Sequence, residues 1–303
     1  MNISESIHII DFDWTDTFRN YVYLIEDQDE AALIDAHIGT ESGTLLKRIE
    51  EIIELDKLKT VILTHGHMDH IGACPFIQER TKAAIAAHIA DAQYIEAPWT
   101  QYTTLYQDYE ITPQAYQDFM TMVGGKAAKV TSPLHGGEVI KVGSLELHIN
   151  HIPGHSPGSI YIYEPDTNTI FTGDALVPSH VYSTMLGIFQ DAVSYIQSLE
   201  HLSKLNVKTI CPGHAPILRG KEIEREFQIH FDRYYLIEKT IQEILNPNGS
   251  TLWEIFHELA NRVLGPGPHS PGIGSLATVH GFLNKLCVEG KIMQIDGSKW
   301  RTV

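Results

Sequence analysis

Cysteine is scarce in this chain: its 303 residues include three, and no two of them form a Cys-x-x-Cys motif. An odd number of widely spaced cysteines argues for reduced thiols rather than a disulfide framework. The sequence also lacks an apolar run of the roughly 18 residues that a membrane-spanning helix needs. Its first residues lack the basic stretch and the apolar core of an export signal. These absences predict a cytoplasmic protein that does not enter a membrane.

Basic residues are scarce as well. The chain has 22 Lys and Arg against 38 Asp and Glu, a net charge of −16, and residues 221–303 account for only −1 of it. Proteins that bind a phosphate backbone normally carry a basic patch, and neither part of this chain offers one. We therefore expect a small-molecule substrate rather than nucleic acid.

What the sequence does contain is a dense group of metal-ligand residue types. His65, His67, Asp69 and His70 lie within six positions, directly after the apolar run 61–63. Imidazole and carboxylate groups bind zinc and other first-row divalent metals. On an extended segment His65 and His67 point to the same side, and the next two residues can reach a second point. The spacing therefore predicts two metal ions rather than one.

Three further segments repeat this arrangement, in which a β-rich run precedes a histidine or an aspartate. Residues 147–152 lead to His155, residues 169–172 lead to Asp174, and residues 207–211 lead to His214. Strand ends that open onto one edge of a sheet are where α/β folds build their sites. We therefore predict that these three residues complete the metal centre.

The full set of seven residues resembles the metallo-β-lactamase superfamily, over about residues 5–220. The resemblance implies an α/β fold, an αββα sandwich, and two divalent metal ions. Zn is the default metal for such nitrogen and oxygen ligands, and Fe or Mn fits them too. By the family pattern, His65, His67 and His155 hold the first metal. Asp69, His70 and His214 hold the second, and Asp174 bridges both.

The resemblance also predicts the domain organisation. Residues 1–220 form the metal-binding catalytic domain, with an aromatic insert at about 91–128 that can fold over the metal edge as an apolar lid. Residues 221–303, with three helices and a terminal hairpin, resemble the winged-helix appendage of the glyoxalase II-like hydrolase branch. Without a basic excess, this appendage favours a packing or dimerisation role, as in a homodimer, over DNA binding.

Six residues are candidates for contact with substrate. They are His37, where many family members have a glycine soon after the aspartate of Leu33-Ile34-Asp35, together with Trp99, Tyr102, Tyr106, His180 and Tyr182. Aromatic side chains supply adaptable apolar walls, so the three from the insert predict an apolar acyl group.

The implied chemistry is hydrolysis. Two metals can share a water whose pKa falls toward ~7, and the hydroxide can attack a carbonyl carbon. Asp69 can orient this nucleophile or carry a proton to the leaving group. We therefore expect a metal-dependent hydrolase of ester, thioester or lactone bonds. Two alternatives stay open: a phosphodiesterase or ribonuclease using the same metals, and a ligand-binding regulatory protein with residual hydrolase activity.

Apolar periodicity and turn residues predict the elements around these motifs. Helices are expected at 42–55, 71–80, 192–202, 222–245, 252–264 and 275–288, with two short helices in the insert. Strands are expected at 21–26, 31–35, 61–63, 83–87, 139–142, 145–149, 160–163, 169–171, 291–295 and 299–303.

Overall fold

The structure is a computed structural model of the chain. It describes residues 2–15, 18–105, 113–122, 124, 126–177, 179–214, 216–269 and 274–303. Within these ranges, no helix is both long enough and apolar enough to cross a bilayer.

Two six-stranded sheets form the centre of the fold. The strands of the first sheet, in spatial order, are β1 (Ile7–Thr15), β2 (Phe18–Asp27), β3 (Glu30–Ile34), β4 (Leu58–Ile62), β5 (Ala84–His88) and β6 (Ser132–Leu134). The second sheet contains β7 (Val139–Val142), β8 (Leu145–His151), β9 (Ile160–Glu164), β10 (Thr169–Gly173), β11 (Thr209–Pro212) and β12 (Leu218–Arg219). Strands β3 to β6 run parallel, as do β10 and β11. Buried Ile62, Ile149 and Phe171 belong to the apolar layer that joins the two sheets.

Helices cover the outer faces of both sheets. The helices up to residue 203 are α1 (Ser42–Glu50), α2 (Met68–Ile71), α3 (Cys74–Thr81), α4 (Ala92–Glu96), α5 (Trp99–Leu105), α6 (Pro113–Met122) and α7 (Ala192–Ser203). Leu45 of α1 and Ile77 of α3 pack on the first sheet. Leu199 of α7 packs on the second. The order of layers is therefore α, β, β, α, and the predicted sandwich is confirmed.

Among the described residues, the C-terminal part adds three helices and a small sheet. The helices are α8 (Lys221–Ile244), α9 (Leu252–Leu264) and α10 (Ser275–Val288), and the sheet contains β13 (Ser250–Thr251), β14 (Ile292–Ile295) and β15 (Lys299–Thr302). Phe227, Leu259 and Phe282 from these helices share one apolar cluster with Ile170 and Ile210 of the second sheet. The domain boundary near residue 220 stays a prediction, because one continuous core spans it.

Several predicted boundaries are wrong. The helix from Ser42 ends at Glu50 rather than at 55, and a separate short turn precedes β4. The helix predicted at 71–80 begins later, at Cys74, and a separate short helix, Met68–Ile71, precedes it. The described residues of the insert form three helices instead of two, and the sequence pattern does not predict the first strand, Ile7–Thr15.

Candidate metal centre

Seven histidine and aspartate side chains meet where β4, β8, β10 and β11 end. They form two clusters, one of His65, His67 and His155, the other of Asp69, His70, Asp174 and His214. Within each cluster the candidate ligand atoms all lie within 4.8 Å of one another. The structure therefore brings together all seven residues that the sequence indicates, and each of the four chain segments enters the site from a strand end.

The inward-facing atoms are closely spaced. His155 Nε2 lies 2.9 Å from His67 Nδ1 in the first cluster. In the second, His214 Nε2 lies 3.0 Å from Asp69 Oδ2 and 3.2 Å from His70 Nε2. Asp174 reaches both clusters, because its Oδ2 lies 3.3 Å from His214 Nε2 and 3.7 Å from His155 Nε2. Its carboxylate is thus the link between the two groups.

The outward nitrogen of every imidazole has a partner. These partners are Thr64 Oγ1 for His65 (3.1 Å), the Gln190 amide for His67 (2.9 Å), Asp35 Oδ2 for His70 (2.9 Å), Ile188 O for His155 (3.1 Å) and Arg19 O for His214 (2.9 Å). Such contacts fix the tautomer and the ring orientation of metal-binding histidines. The oxygen and nitrogen of the Gln190 amide have nearly the same shape. Rotation of the amide by 180° therefore places its oxygen against His67 Nε2, where it accepts the hydrogen of a neutral ring that carries its proton on Nε2.

These outward contacts indicate what the inward nitrogens can bind. A neutral imidazole that donates its outer N–H to a carboxylate or a carbonyl keeps a lone pair on its other nitrogen. In their neutral forms, His70 Nε2 and His214 Nε2 both carry such a lone pair, and they face each other at 3.2 Å. His65 Nε2 is buried without a hydrogen-bond partner among the described atoms. Converging lone pairs beside two carboxylates fit divalent cations, one at each cluster.

The electrostatics differ between the clusters. Burial lowers the pKa of His67 to about 4 and that of His155 to about 3, so both rings stay neutral and keep a lone pair. In the second cluster burial also lowers the pKa of His214, but Asp174 and Asp69 outweigh it and raise the pKa to about 9. The second cluster is thus a strongly negative environment that attracts positive charge.

A comparison with known protein families agrees with this geometry. The family model of the Metallo-beta-lactamase superfamily matches residues 15–214, which is about two thirds of the chain and contains all seven cluster residues. The chain belongs to the metallo-beta-lactamase superfamily. The chain is a metal-dependent hydrolase of this superfamily, and its two His/Asp clusters form a dinuclear site.

Relatives within the superfamily carry hydrolase names. Hydroxyacylglutathione hydrolase GloC of Haemophilus influenzae is 28% identical over 186 residues, or 59% of this chain and 78% of that protein. A hydroxyacylglutathione hydrolase of Cereibacter sphaeroides is 28% identical over 198 residues, and the match spans 64% of this chain but only 62% of that protein. Acyl-coenzyme A thioesterase MBLAC2 of Bos taurus is 24% identical over 210 residues, 65% of this chain and 73% of that protein.

The fold comparison extends over the C-terminal part. The crystal structure of the metallo-beta-lactamase family protein TTHA1429 from Thermus thermophilus aligns with a TM-score of 0.79 at 19% identity. The alignment covers 99% of this chain and 100% of that one. Helices α8 to α10 are therefore part of an architecture that another superfamily member shares.

Asp91 joins the two loops of the first cluster, and no motif in the sequence marks it as a site residue. Its buried carboxylate accepts hydrogen bonds from Gly66 N (2.8 Å), Ser156 Oγ (2.6 Å) and Gly158 N (2.7 Å). Gly66 lies between the two histidines of the first motif, and Ser156 follows His155. A Cβ on Gly158 would come within 2.6 Å of Asp91 Cγ, so the contact needs glycine there.

We expect Asp91→Asn to weaken metal binding at the first cluster by about 10- to 100-fold, the range typical of groups that orient ligands. An amide nitrogen would face the donors that the carboxylate now accepts from. Isothermal titration with Zn²⁺ in competition with a chelator measures the metal affinity of each of the two clusters. Glu164→Gln is the matched control, since Glu164 is equally buried and accepts from Asp166 N and Thr167 N in a turn remote from the ligands. Equal weakening in both variants would contradict the prediction.

His37 is buried and supports the segment that carries Asp69. Its ring stacks on Phe12 at 4.0 Å, and its Nδ1 lies 2.9 Å from Asn20 Nδ2. Asn20 Nδ2 also donates to Asp69 O at 2.6 Å. Burial lowers the pKa of His37 to about 4, so the ring is neutral. This placement is that of a supporting group, and contact with substrate stays a prediction.

The insert begins against the metal centre. Gln101 of α5 donates to Gly66 O (2.6 Å) and accepts from Met68 N (2.9 Å), so this helix is tied to the first motif. Trp99, at the start of the same helix, is 47% exposed. Tyr102 lies in α5 and its side chain is not described, whereas Tyr106 lies outside the described residues. The role of these three as a lid stays a prediction.

The segment after Asp174 packs against α8. Arg233 lies over the Tyr182 ring at 4.7 Å and donates to its carbonyl oxygen, and Tyr182 is buried. His230 Nε2 accepts from Val177 N at 3.2 Å. His180, in contrast, is exposed. The two predicted substrate residues thus lie in different surroundings, one packed beneath α8 and one at the surface.

Proposed function

We propose that this protein is a dinuclear metallohydrolase that cleaves the thioester bond of an apolar acyl group, with oxygen esters and lactones as the related alternatives. The observation that carries the proposal is the pair of buried clusters joined by Asp174, with lone pairs aimed inward. The names of two relatives, hydroxyacylglutathione hydrolase and acyl-coenzyme A thioesterase, support the choice of bond. We infer Zn as the metal and the cytoplasm as the location.

The proposed ligand assignment follows the clusters. His65, His67 and His155 would hold one cation, Asp69, His70 and His214 the other, and Asp174 would contact both. Such a pair supplies an acidified water and a Lewis acid for the carbonyl oxygen.

Residues of the chain itself would supply proton transfer and binding of the acyl chain. Asp69 has the more accessible of the two carboxylates in the clusters, 13% exposed against 9% for Asp174, which supports a position on the side that substrate reaches. A carboxylate there can return a proton to the departing sulfur. Trp99 lies at the start of α5, the helix that Gln101 links to Gly66 in the first histidine motif. Its exposed ring offers apolar surface to the acyl chain.

The overall charge supports an acyl substrate over nucleic acid. The chain carries −16, and its C-terminal 83 residues carry −1, so no excess of basic residues is available for a phosphate backbone. Pairing of two copies through the C-terminal part is a further proposal, since three helices and a hairpin without basic excess suit packing better than DNA contact.

The test is a paired substrate panel on protein loaded with two Zn²⁺ per chain. One arm holds thioesters and lactones of increasing acyl length, and the other a phosphodiester and a short RNA. We expect turnover on the thioesters, with kcat/KM rising with acyl length, and loss of turnover in Asp69→Ala. Asp232→Asn, on the solvent side of α8, is the control. Turnover confined to the phosphate arm, or unaffected by Asp69→Ala, would overturn the proposal.

A further inference from the structure

The outer contacts of the first cluster come from one short segment. Residues 187–191 connect the region after Asp174 to α7. Ile188 O accepts from His155 Nδ1 at 3.1 Å, and the Gln190 amide lies 2.9 Å from His67 Nε2. Two of the three histidines in the first cluster are therefore oriented by the same five residues.

Helix α10 of the C-terminal part holds this segment in place. The Thr278 hydroxyl donates to Gly187 O at 2.8 Å and accepts from Phe189 N at 3.0 Å. These two bonds flank Ile188, whose carbonyl faces His155. Thr278 is 0% exposed, so water cannot replace either bond. The hydroxyl group thus donates its single proton to this segment.

The helix also approaches the segment's backbone directly. A Cβ on Gly281 would come within 2.4 Å of Phe189 O and 3.0 Å of Gln190 O. Glycine at 281 therefore lets α10 lie against the peptide groups on both sides of Gln190. Thr278 and Gly281 lie three residues apart, on the same face of the helix.

We propose that α10 is a positioning element of the metal centre and that Thr278 is its principal positioning residue. By fixing the backbone from Gly187 to Phe189, Thr278 aims Ile188 O at His155 and places Gln190 beside His67. Those contacts keep His155 Nε2 and His67 Nδ1 turned toward the metal. The inference rests on the proposed metal ligands, and it gives the C-terminal part a role inside the active site.

The expected size of the effect follows from the distance of Thr278 from the metal. Loss of a group that directly orients a ligand lowers metal affinity by about 10- to 100-fold. Thr278 acts one contact further out, through the backbone, so we expect about a tenfold loss at the first cluster. The second cluster has outer contacts from Asp35 and Arg19 instead, and its affinity should not change.

Three variants separate the hydroxyl from the shape of the side chain. Thr278→Val removes the hydroxyl and keeps the branched shape, whereas Thr278→Ser keeps the hydroxyl. Thr240→Val is the matched control, because Thr240 lies in α8, is 4% exposed, and donates to Leu236 O of its own helix. All are measured in the full-length chain.

The measurement is metal binding rather than turnover. Titration of the metal-free protein with Zn²⁺ against a chelator gives one affinity per cluster. In protein loaded with Co²⁺, the outer N–H protons of His155 and His67 are observed by paramagnetic NMR, together with their exchange with water. We expect Thr278→Val alone to lose about tenfold at the first cluster and to exchange the His155 proton faster, while Thr278→Ser behaves as wild type.

The outcomes are distinguishable. If Thr278→Val matches wild type at the first cluster, or if Thr240→Val weakens it equally, the inference about α10 is wrong. If Thr278→Val loses both clusters together, the helix serves general stability and the inference also fails. If wild type itself binds no metal at the first cluster, the proposed function fails instead.

Discussion

Asp174→Asn will lower kcat/KM at least about 1,000-fold, because the loss of one charge at a dinuclear centre costs several kcal/mol and each 1.36 kcal/mol is a factor of about ten. Asp174 Oδ2 lies 3.3 Å from His214 Nε2 and 3.7 Å from His155 Nε2, and its Oδ1 lies 3.4 Å from His70 Nε2. An amide can offer only one oxygen, so one of the two clusters must face an NH₂ group.

Metal content and rate have to be measured together for this variant. We expect fewer than two metals per chain by elemental analysis, along with the loss of rate on the best thioester. Asp232→Asn, an equal change of charge on the surface of α8, should keep both values. A variant at 174 that binds two metals and retains its rate would show that Asp174 is not the shared ligand.

Gly213→Ala should disable the second cluster while leaving the fold intact. A Cβ at this position would come within 2.6 Å of Asp174 Oδ1 and 2.7 Å of His70 Cε1. The backbone cannot retreat, because Gly213 N donates to Gly173 O at 3.0 Å and Gly213 O accepts from Tyr21 N at 2.8 Å. A displacement of about 1 Å can cost about 100-fold in rate, so we expect at least that loss.

The control for this variant is Gly43→Ala in α1, where a Cβ would meet no atom within 4 Å. Alanine is favoured over glycine inside a helix by roughly 0.5–1 kcal/mol, so that change should leave activity unaltered and raise the melting temperature slightly. Zinc titration of Gly213→Ala should show a normal first site and a weak second one. Normal binding at both would mean that the methyl group is accommodated.

Much of the centre could be predicted because its signals are local. An apolar run such as 61–63 or 169–172 marks a buried strand, and the histidine or aspartate after it is placed at the sheet edge by the strand itself. The structure confirms a strand before each of the four ligand segments. The chemistry of imidazole and carboxylate then narrows the function to metal binding.

The supporting residues could not be found in the same way. Asp91, Gln190 and Thr278 are single polar residues whose partners lie 25 to 123 positions away, so no spacing pattern marks them. Gly66 and Gly158 carry the only hint, since both are glycines beside a ligand segment and both lie against Asp91. Predicting which distant carboxylate they approach requires the packing of the two sheets.

The contact between α10 and residues 187–189 has a consequence for how the protein is made. Once residue 214 has emerged from the ribosome, every proposed ligand has emerged as well. So have Asp35 and Arg19, which orient His70 and His214. Thr278 and Gly281 emerge later, after α8 and α9. The nascent chain can therefore complete the surroundings of the second metal early in synthesis, whereas the first metal's histidines gain their full support only when α10 emerges.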